Sequence, residues 1–211
     1  MSNSVSAGIS YQSKMSMSEF DDYADLFAED GGFDIPSTLK AGISFKAGET
    51  ARVNLDIEHI GYSDVDSINN PIMNMLTGCF TANPLVAQAT NGCLGGADGA
   101  GFGWEDMTVY KVGVSVASSD TSTWRFGYSY GEQPIQSADV LFNILAPGIM
   151  EQHFTFGLTH RPDRGGEWNF SFMYAPENSV TGPSFFDPTQ NIELKMSQLE
   201  FEVSYRFGSS R

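Results

Sequence analysis

The sequence predicts an all-β fold: an antiparallel transmembrane β-barrel of about eight strands, with long outer loops and short periplasmic turns. The whole chain, residues 1–211, reads as a single barrel domain. Three observations predict it. The closing run Leu199-Glu200-Phe201-Glu202-Val203-Ser204-Tyr205-Arg206-Phe207 is apolar at every odd position and polar at every even one. Side chains of a strand repeat every two residues, so one face is apolar and the other charged, as where lipid lies outside and water inside. Similar runs recur along the chain without a charge on any apolar track. The connections between them alternate in length, short then long.

The first strand is expected near Ser4–Ser13, with Val5, Ala7, Ile9 and Tyr11 on one face. The second covers Thr38–Lys46, with Leu39, Ala41, Ile43 and Phe45. The third covers Arg52–Tyr62, with Val53, Leu55 and Ile57. Its phase slips near His59, since Ile60 and Tyr62 fall on the other parity; a bulge or bend is expected there. The fourth covers Met107–Val116 (Tyr110, Val112, Val114, Val116) and the fifth Ser122–Gly131 (Trp124, Phe126, Tyr128, Tyr130). The sixth covers Gln152–His160 (Phe154, Phe156, Leu158) and the seventh Glu167–Ala175 (Trp168, Phe170, Phe172, Tyr174). The eighth is the closing run, with a start as early as Ile192.

Short connections are Ala47–Thr50, Ala117–Thr121 and Arg161–Gly166; long ones are Lys14–Ser37, Ser63–Asp106, Glu132–Glu151 and Pro176–Asn191. Trp124, Trp168, Phe45, Tyr205 and Phe207 fall at one level, and Tyr11, Tyr130 and Tyr174 at the other. Amphipathic rings at both ends match the girdles of membrane barrels. Two alternatives share this pattern: eight strands closing by themselves into a small barrel with a structural or adhesive surface role, and a soluble β-sandwich or apolar-ligand calyx, which would turn the bulky rows into a sealed core.

Composition narrows the function classes. The net charge is −15, and no basic stripe exists to meet phosphates, so a general nucleic-acid binder is excluded. Charged residues make up 18%, below the roughly 25% of soluble domains. No apolar run approaches the about 20 residues of a membrane-spanning helix. Met1-Ser2-Asn3-Ser4-Val5 has neither the basic nor the apolar region of a signal peptide. An outer-membrane protein needs one, so the chain is expected to be the C-terminal piece of a longer precursor. Cys79 and Cys93 share one long polar loop; an oxidising compartment would join them, and otherwise they are free thiols. His59, His153 and His160 are scattered, and no spacing singles out a nucleophile beside His153, so no enzyme and no cofactor are expected.

Several segments carry more than pattern. They include Leu26-Phe27-Ala28-Glu29, Phe33-Asp34-Ile35-Pro36, Tyr62-Ser63-Asp64-Val65 and Gly101-Phe102-Gly103-Trp104-Glu105-Asp106-Met107-Thr108-Val109-Tyr110-Lys111-Val112-Gly113. Arg125-Phe126-Gly127-Tyr128-Ser129-Tyr130-Gly131, Phe142-Asn143-Ile144-Leu145-Ala146-Pro147-Gly148 and Met173-Tyr174-Ala175-Pro176-Glu177-Asn178-Ser179-Val180-Thr181-Gly182-Pro183 follow in order. Together they resemble the FadL/TodX family of outer-membrane transporters of long-chain fatty acids and other hydrophobic compounds. The resemblance implies a larger barrel of about fourteen strands, of which this chain matches the C-terminal half. The family's N-terminal hatch and early strands have no counterpart here. It further implies passive transport, a hydrophobic ligand, and outer-membrane lipid and lipopolysaccharide around the barrel. The barrel-assembly machinery would engage the C-terminal strand.

A transporter of apolar ligands needs apolar docking surface, because such ligands gain about 25 cal/mol per Å² on leaving water. Two loops offer it: Phe20, Tyr23, Leu26 and Phe27, spaced as one face of a short helix, and Met73, Met75, Leu76, Phe80 and Leu85 in the cysteine loop. The same residues equally suit packing of the loops onto one another. Lys40 is expected opposite Glu58 or Asp56, either as an ion pair of the inner wall or as a cation that meets a ligand carboxylate. Arg125, Lys111 and Arg206 carry the same two readings.

Overall fold

The computed structural model describes residues 4–80, 91–163, 165–184, 186–187 and 189–208. The strands are β1 Val5–Gln12, β2 Ser37–Ala47, β3 Ala51–Gly61, β4 Met107–Ser119, β5 Ser122–Gly131, β6 Gln152–His160, β7 Glu167–Pro183 and β8 Asn191–Arg206. They form one sheet in the order β1-β2-β3-β4-β5-β6-β7-β8, every neighbour antiparallel. Among the described residues β1 and β8 remain edges, and the sheet is open rather than closed.

Register sorts the side chains into two faces. One rung reads Val5–Phe45–Val53–Val114–Phe126–Phe156–Phe172–Phe201, apolar across all eight strands. Ile9 (77% exposed), Leu55, Tyr110, Leu199 (67%) and Phe201 lie bare on this side. The other side carries Lys40, Glu58, Lys111, Arg125 and Glu202 among glycine and serine. The long loops fold over the polar side, because Ile192, Leu194 and Met196 of β8 share its phase and pack onto the loop core. We call this the inner face.

Three expectations are corrected. β3 keeps a continuous register from Ala51 to Ile60 against β4 and from Ala51 to Gly61 against β2, with no bulge at His59. The ladders on both sides hold it straight, and Tyr62 changes side by entering a 3-10 turn, Tyr62–Asp64. β7 runs to Pro183, so half of the expected loop Pro176–Asn191 is strand. Pro and Gly read as loop signals there, but a register shift between Ala175 and Asn178 places Pro176 in a bulge, where its missing N–H is tolerated. The segment Phe20–Phe27 forms one 3-10 turn, Asp21–Tyr23, rather than a helix with one apolar face. It is followed by Glu29 (φ 58°) and Asp30 (φ 56°) in the left-handed region, whose N–H groups are taken by the carbonyls of Gly96 and Gly95. Tertiary bonds to the cysteine loop thus override the local helical spacing.

Candidate functional site

The described apolar core sits in the loops. Ile135, Val140 and Ile149 are fully buried with Val180, and Trp104, Ile192, Leu194 and Met196 close over them. A chain of rings continues this core: Phe27 and Phe33 lie 5.3 Å apart, both touch Phe102, and Phe102 meets Phe142 at 5.2 Å. Asn143, with no exposed surface, is its polar hub. It accepts the Trp104 indole N–H at 2.6 Å and donates to the carbonyls of Phe102 (2.6 Å) and Asp139 (2.9 Å). Asp139 accepts the Ile72 N–H at 2.6 Å, tying the cysteine loop to the loop between β5 and β6. Burial holds the Asp139 carboxyl above the usual carboxylate range, against the opposing effect of that hydrogen bond. Gly103 (φ 65°) passes so close to Asp139 that any Cβ would strike its carboxylate.

This packing divides the expected docking residues. Phe27 is half-buried in the ring chain, and Leu26 and Met75 are half-buried too. Phe20, Tyr23, Met73, Leu76 and Phe80 (64%) face solvent. Leu85 lies outside the described residues. Cys79 and Cys93 are joined by a disulfide, so the segment ending at Phe80 is held across the loop. Phe102, Asn143 and Asp139 were not singled out as site residues; Phe102 and Asn143 stood in the matched segments, but nothing local marks them as hubs. Ile144 and Leu145, next to the hub, add exposed apolar surface at the same end.

The inner wall carries two polar clusters. Lys40 lies 2.8 Å from Glu58, and Lys111 pairs with the other oxygen of the same carboxylate. Both lysines are thereby engaged in the wall. Gly42 stands opposite Asp56, and a side chain there would overlap the Asp56 carboxylate. Nearer the short turns, Arg125 donates to Thr159 Oγ1 at 2.7 Å, Thr159 to Asn169 at 2.7 Å, and Asn169 to Glu167 at 3.1 Å. Arg161 completes the chain with Glu167 at 2.7 Å. The histidines stay apart: His59 meets Thr108 and Asp106, and His160 meets Ser122 at 3.0 Å. Among the described residues no cluster suited to a metal ion occurs.

The fold is that of the FadL/TodX-like barrels. The P. putida toluene transporter TodX superposes on the whole chain with a TM-score of 0.61 at 16% identity, with 47% of TodX covered. The CymD monoaromatic hydrocarbon channel gives 0.53 at 14% identity, covering 100% of this chain and 49% of CymD. A Pseudomonas aeruginosa FadL homologue gives 0.56 at 12% identity, covering 97% of this chain and 48% of the homologue. The chain therefore spans about half the length of the solved proteins it matches. No protein-family model matches the sequence, and no curated protein does.

Proposed function

We propose that this chain is wall and loop structure of an outer-membrane channel that passes long-chain fatty acids or other hydrophobic small molecules passively through a β-barrel. The observation that carries the reading is the sheet's outer face, apolar rung after rung and, among the described residues, covered by no other element. Contiguous bare apolar patches on soluble monomers rarely exceed a few hundred Å², so hydrocarbon is the solvent this face fits. A calyx would have the same rows inside. The structural likeness to a toluene transporter and a monoaromatic hydrocarbon channel supports the cargo class.

In this reading the loop residues Phe20, Tyr23, Met73, Leu76 and Phe80 capture the ligand outside. The ligand then enters the barrel without an energy source. Lipid and lipopolysaccharide surround the outer face, and the assembly machinery meets the terminal strand ending in Phe207. The test is ligand binding by the full chain refolded in lipid nanodiscs, with empty discs as blank. Toluene and a fluorescent fatty acid are the probes. Phe20→Asp with Phe80→Asp should weaken capture about tenfold, in line with two lost apolar contacts. A chain that stays soluble without detergent, or variants that bind as tightly as wild type, would remove the reading.

A further inference from the structure

A cavity of about 470 Å³ lies where β4 begins and β5 ends, at the long-loop end of the sheet. That size falls within the about 300–1,000 Å³ of clefts that hold small ligands. Tyr110 and Tyr130 line it. They stand opposite each other in the β4–β5 ladder, 56% and 39% exposed. Glu105, Asp106, Glu132 and Gln136 line it from the segments before β4 and after β5. None of the loop residues assigned to capture belongs to the lining.

The walls are held by bonds of their own. Trp104 and Ile135 form an antiparallel bridge, and the Glu105 N–H donates to the Pro134 carbonyl at 3.0 Å. The Gln133 amide closes on Ile135, donating to its carbonyl at 3.0 Å and accepting its N–H at 2.8 Å. Gly182 of β7 passes so close to Ser137 that any Cβ would strike the Ser137 carbonyl. The shape is therefore set before a ligand arrives, which lowers the ordering cost of binding.

The polar groups of the lining are left over from this packing. Among the described residues, the side chains of Glu105, Glu132, Gln136, Tyr110 and Tyr130 meet no hydrogen-bond or ion-pair partner. Asp106 accepts the Ser63 N–H at 2.9 Å. The free set mixes roles: the carboxylates only accept, whereas the amide and the phenols both donate and accept. No lysine, arginine or histidine lines the cavity, so a phosphate or carboxylate would meet three carboxylates with no cation in the lining to balance it. A hydrocarbon would strip water from the polar groups and return no hydrogen bond. An ammonium only donates, and cannot serve the amide N–H or the phenol hydrogens. A sugar hydroxyl does both, and the C–H face of a sugar ring suits the apolar body of a tyrosine.

We propose that this cavity binds a neutral sugar ring at the outer rim of the wall. Glu105 and Glu132 accept from its hydroxyls, Gln136 donates and accepts, and Tyr110 and Tyr130 lie against its C–H face. Sugar-bearing headgroups of the membrane and dissolved saccharides present this same chemistry.

The test uses the full chain in phosphatidylcholine nanodiscs, with empty discs as blank. Maltotriose is titrated by saturation-transfer NMR. A lactosyl lipid added to the discs is counted by native mass spectrometry of the released chain. Spermidine stands for ligands that only donate, and toluene reports the capture loops. Binding of either sugar supports the proposal: the lactosyl lipid alone assigns a membrane headgroup, and maltotriose a dissolved saccharide. Glu132→Leu with Gln136→Leu should weaken the bound sugar at least tenfold and leave toluene within twofold. Tyr110→Phe with Tyr130→Phe keeps the rings and should weaken it about threefold. A wild type that binds neither sugar overturns the proposal. So does equal sugar binding by wild type and the leucine variant, an equal loss of sugar and toluene, or tighter binding of spermidine than of either sugar. A chain that binds sugar but not toluene leaves this site standing and removes the channel.

Discussion

Val180 stands opposite Leu194 in the β7–β8 ladder, and both meet the loop core on the inner side. Lower on the same two strands Tyr174 stands opposite Leu199, and both lie on the outer side. The apolar phase therefore crosses the sheet within β8, between Met196 and Leu199, with no irregularity in β8 itself. The extra residue in the β7 bulge keeps Val180 in step. Above that level Glu193, Lys195 and Ser197 face outward; below it Leu199, Phe201 and Val203 do. In the channel reading proposed above, this crossing is the level at which the outer solvent changes from water to hydrocarbon.

A charge should then be costly below the crossing and cheap above it. Phe201→Arg is expected to destabilise the chain in phospholipid vesicles by about 2–4 kcal/mol, the cost of a cation on a barrel's lipid face. Glu193→Arg should change stability by less than about 0.5 kcal/mol. Urea titrations of the two variants in vesicles decide this. Similar costs at both positions would place the boundary elsewhere.

Asn143→Leu removes three hydrogen bonds at once. It leaves the Trp104 indole N–H and two carbonyls without their partner in a dry site, each costing about 1–3 kcal/mol. The loop core should loosen while the strands persist. Limited proteolysis should cut within residues 132–151 at least tenfold faster, with strand content unchanged by circular dichroism. Asn143→Asp, which keeps the acceptor for Trp104, should lie between.

The same core should respond to pH through Asp139. Its carboxyl is raised above the ordinary value by burial, so the folded loop binds the proton more tightly than the unfolded loop does. That contribution is fully present below the unfolded value. It is lost as pH rises through the raised folded value. Resistance of the loops to proteolysis should accordingly fall as pH climbs through that window. Asp139→Asn keeps an acceptor for the Ile72 N–H and should flatten the profile. An unchanged slope in that variant would exclude Asp139 as its source.

Cys79→Ser with Cys93→Ser opens a loop of sequence separation 14. Loop-closure entropy predicts a loss of about 3 kcal/mol, confined to the loop rather than spread over the sheet. Capture of a hydrophobic probe should weaken with it, because Phe80 adjoins Cys79. Hydrogen exchange should show faster exchange in residues 69–80 and unchanged protection in β4–β6.

Much of the sheet was legible because a period of two is written into consecutive residues. β5 and β6 begin and end at the expected residues, Ser122–Gly131 and Gln152–His160. The upper half of β7 was not, since Pro176, Gly182 and Pro183 carry local signals for a turn that only the partner strand overrules. The pairing of Lys40 with Glu58 followed from hairpin register, whereas the second lysine on that carboxylate, Lys111, needed the β3–β4 ladder. Phe27 and Phe20 looked alike in the chain, yet Phe27 is half-buried within the ring cluster, whereas Phe20 reaches it only through Tyr23 and stays exposed.

By itself the sequence determined which residues share a face, because side-chain alternation is a property of neighbouring residues. It also determined the solvent each face suits over most of the sheet, because charge is kept off one track in β1–β6 and in the halves of β7 and β8 next to the short turns. Only the tertiary structure decided how the loops pack, that two lysines share the Glu58 carboxylate, and where along β8 the apolar residues change face. Those outcomes depend on contacts between segments many residues apart, and alternation along one strand does not encode them.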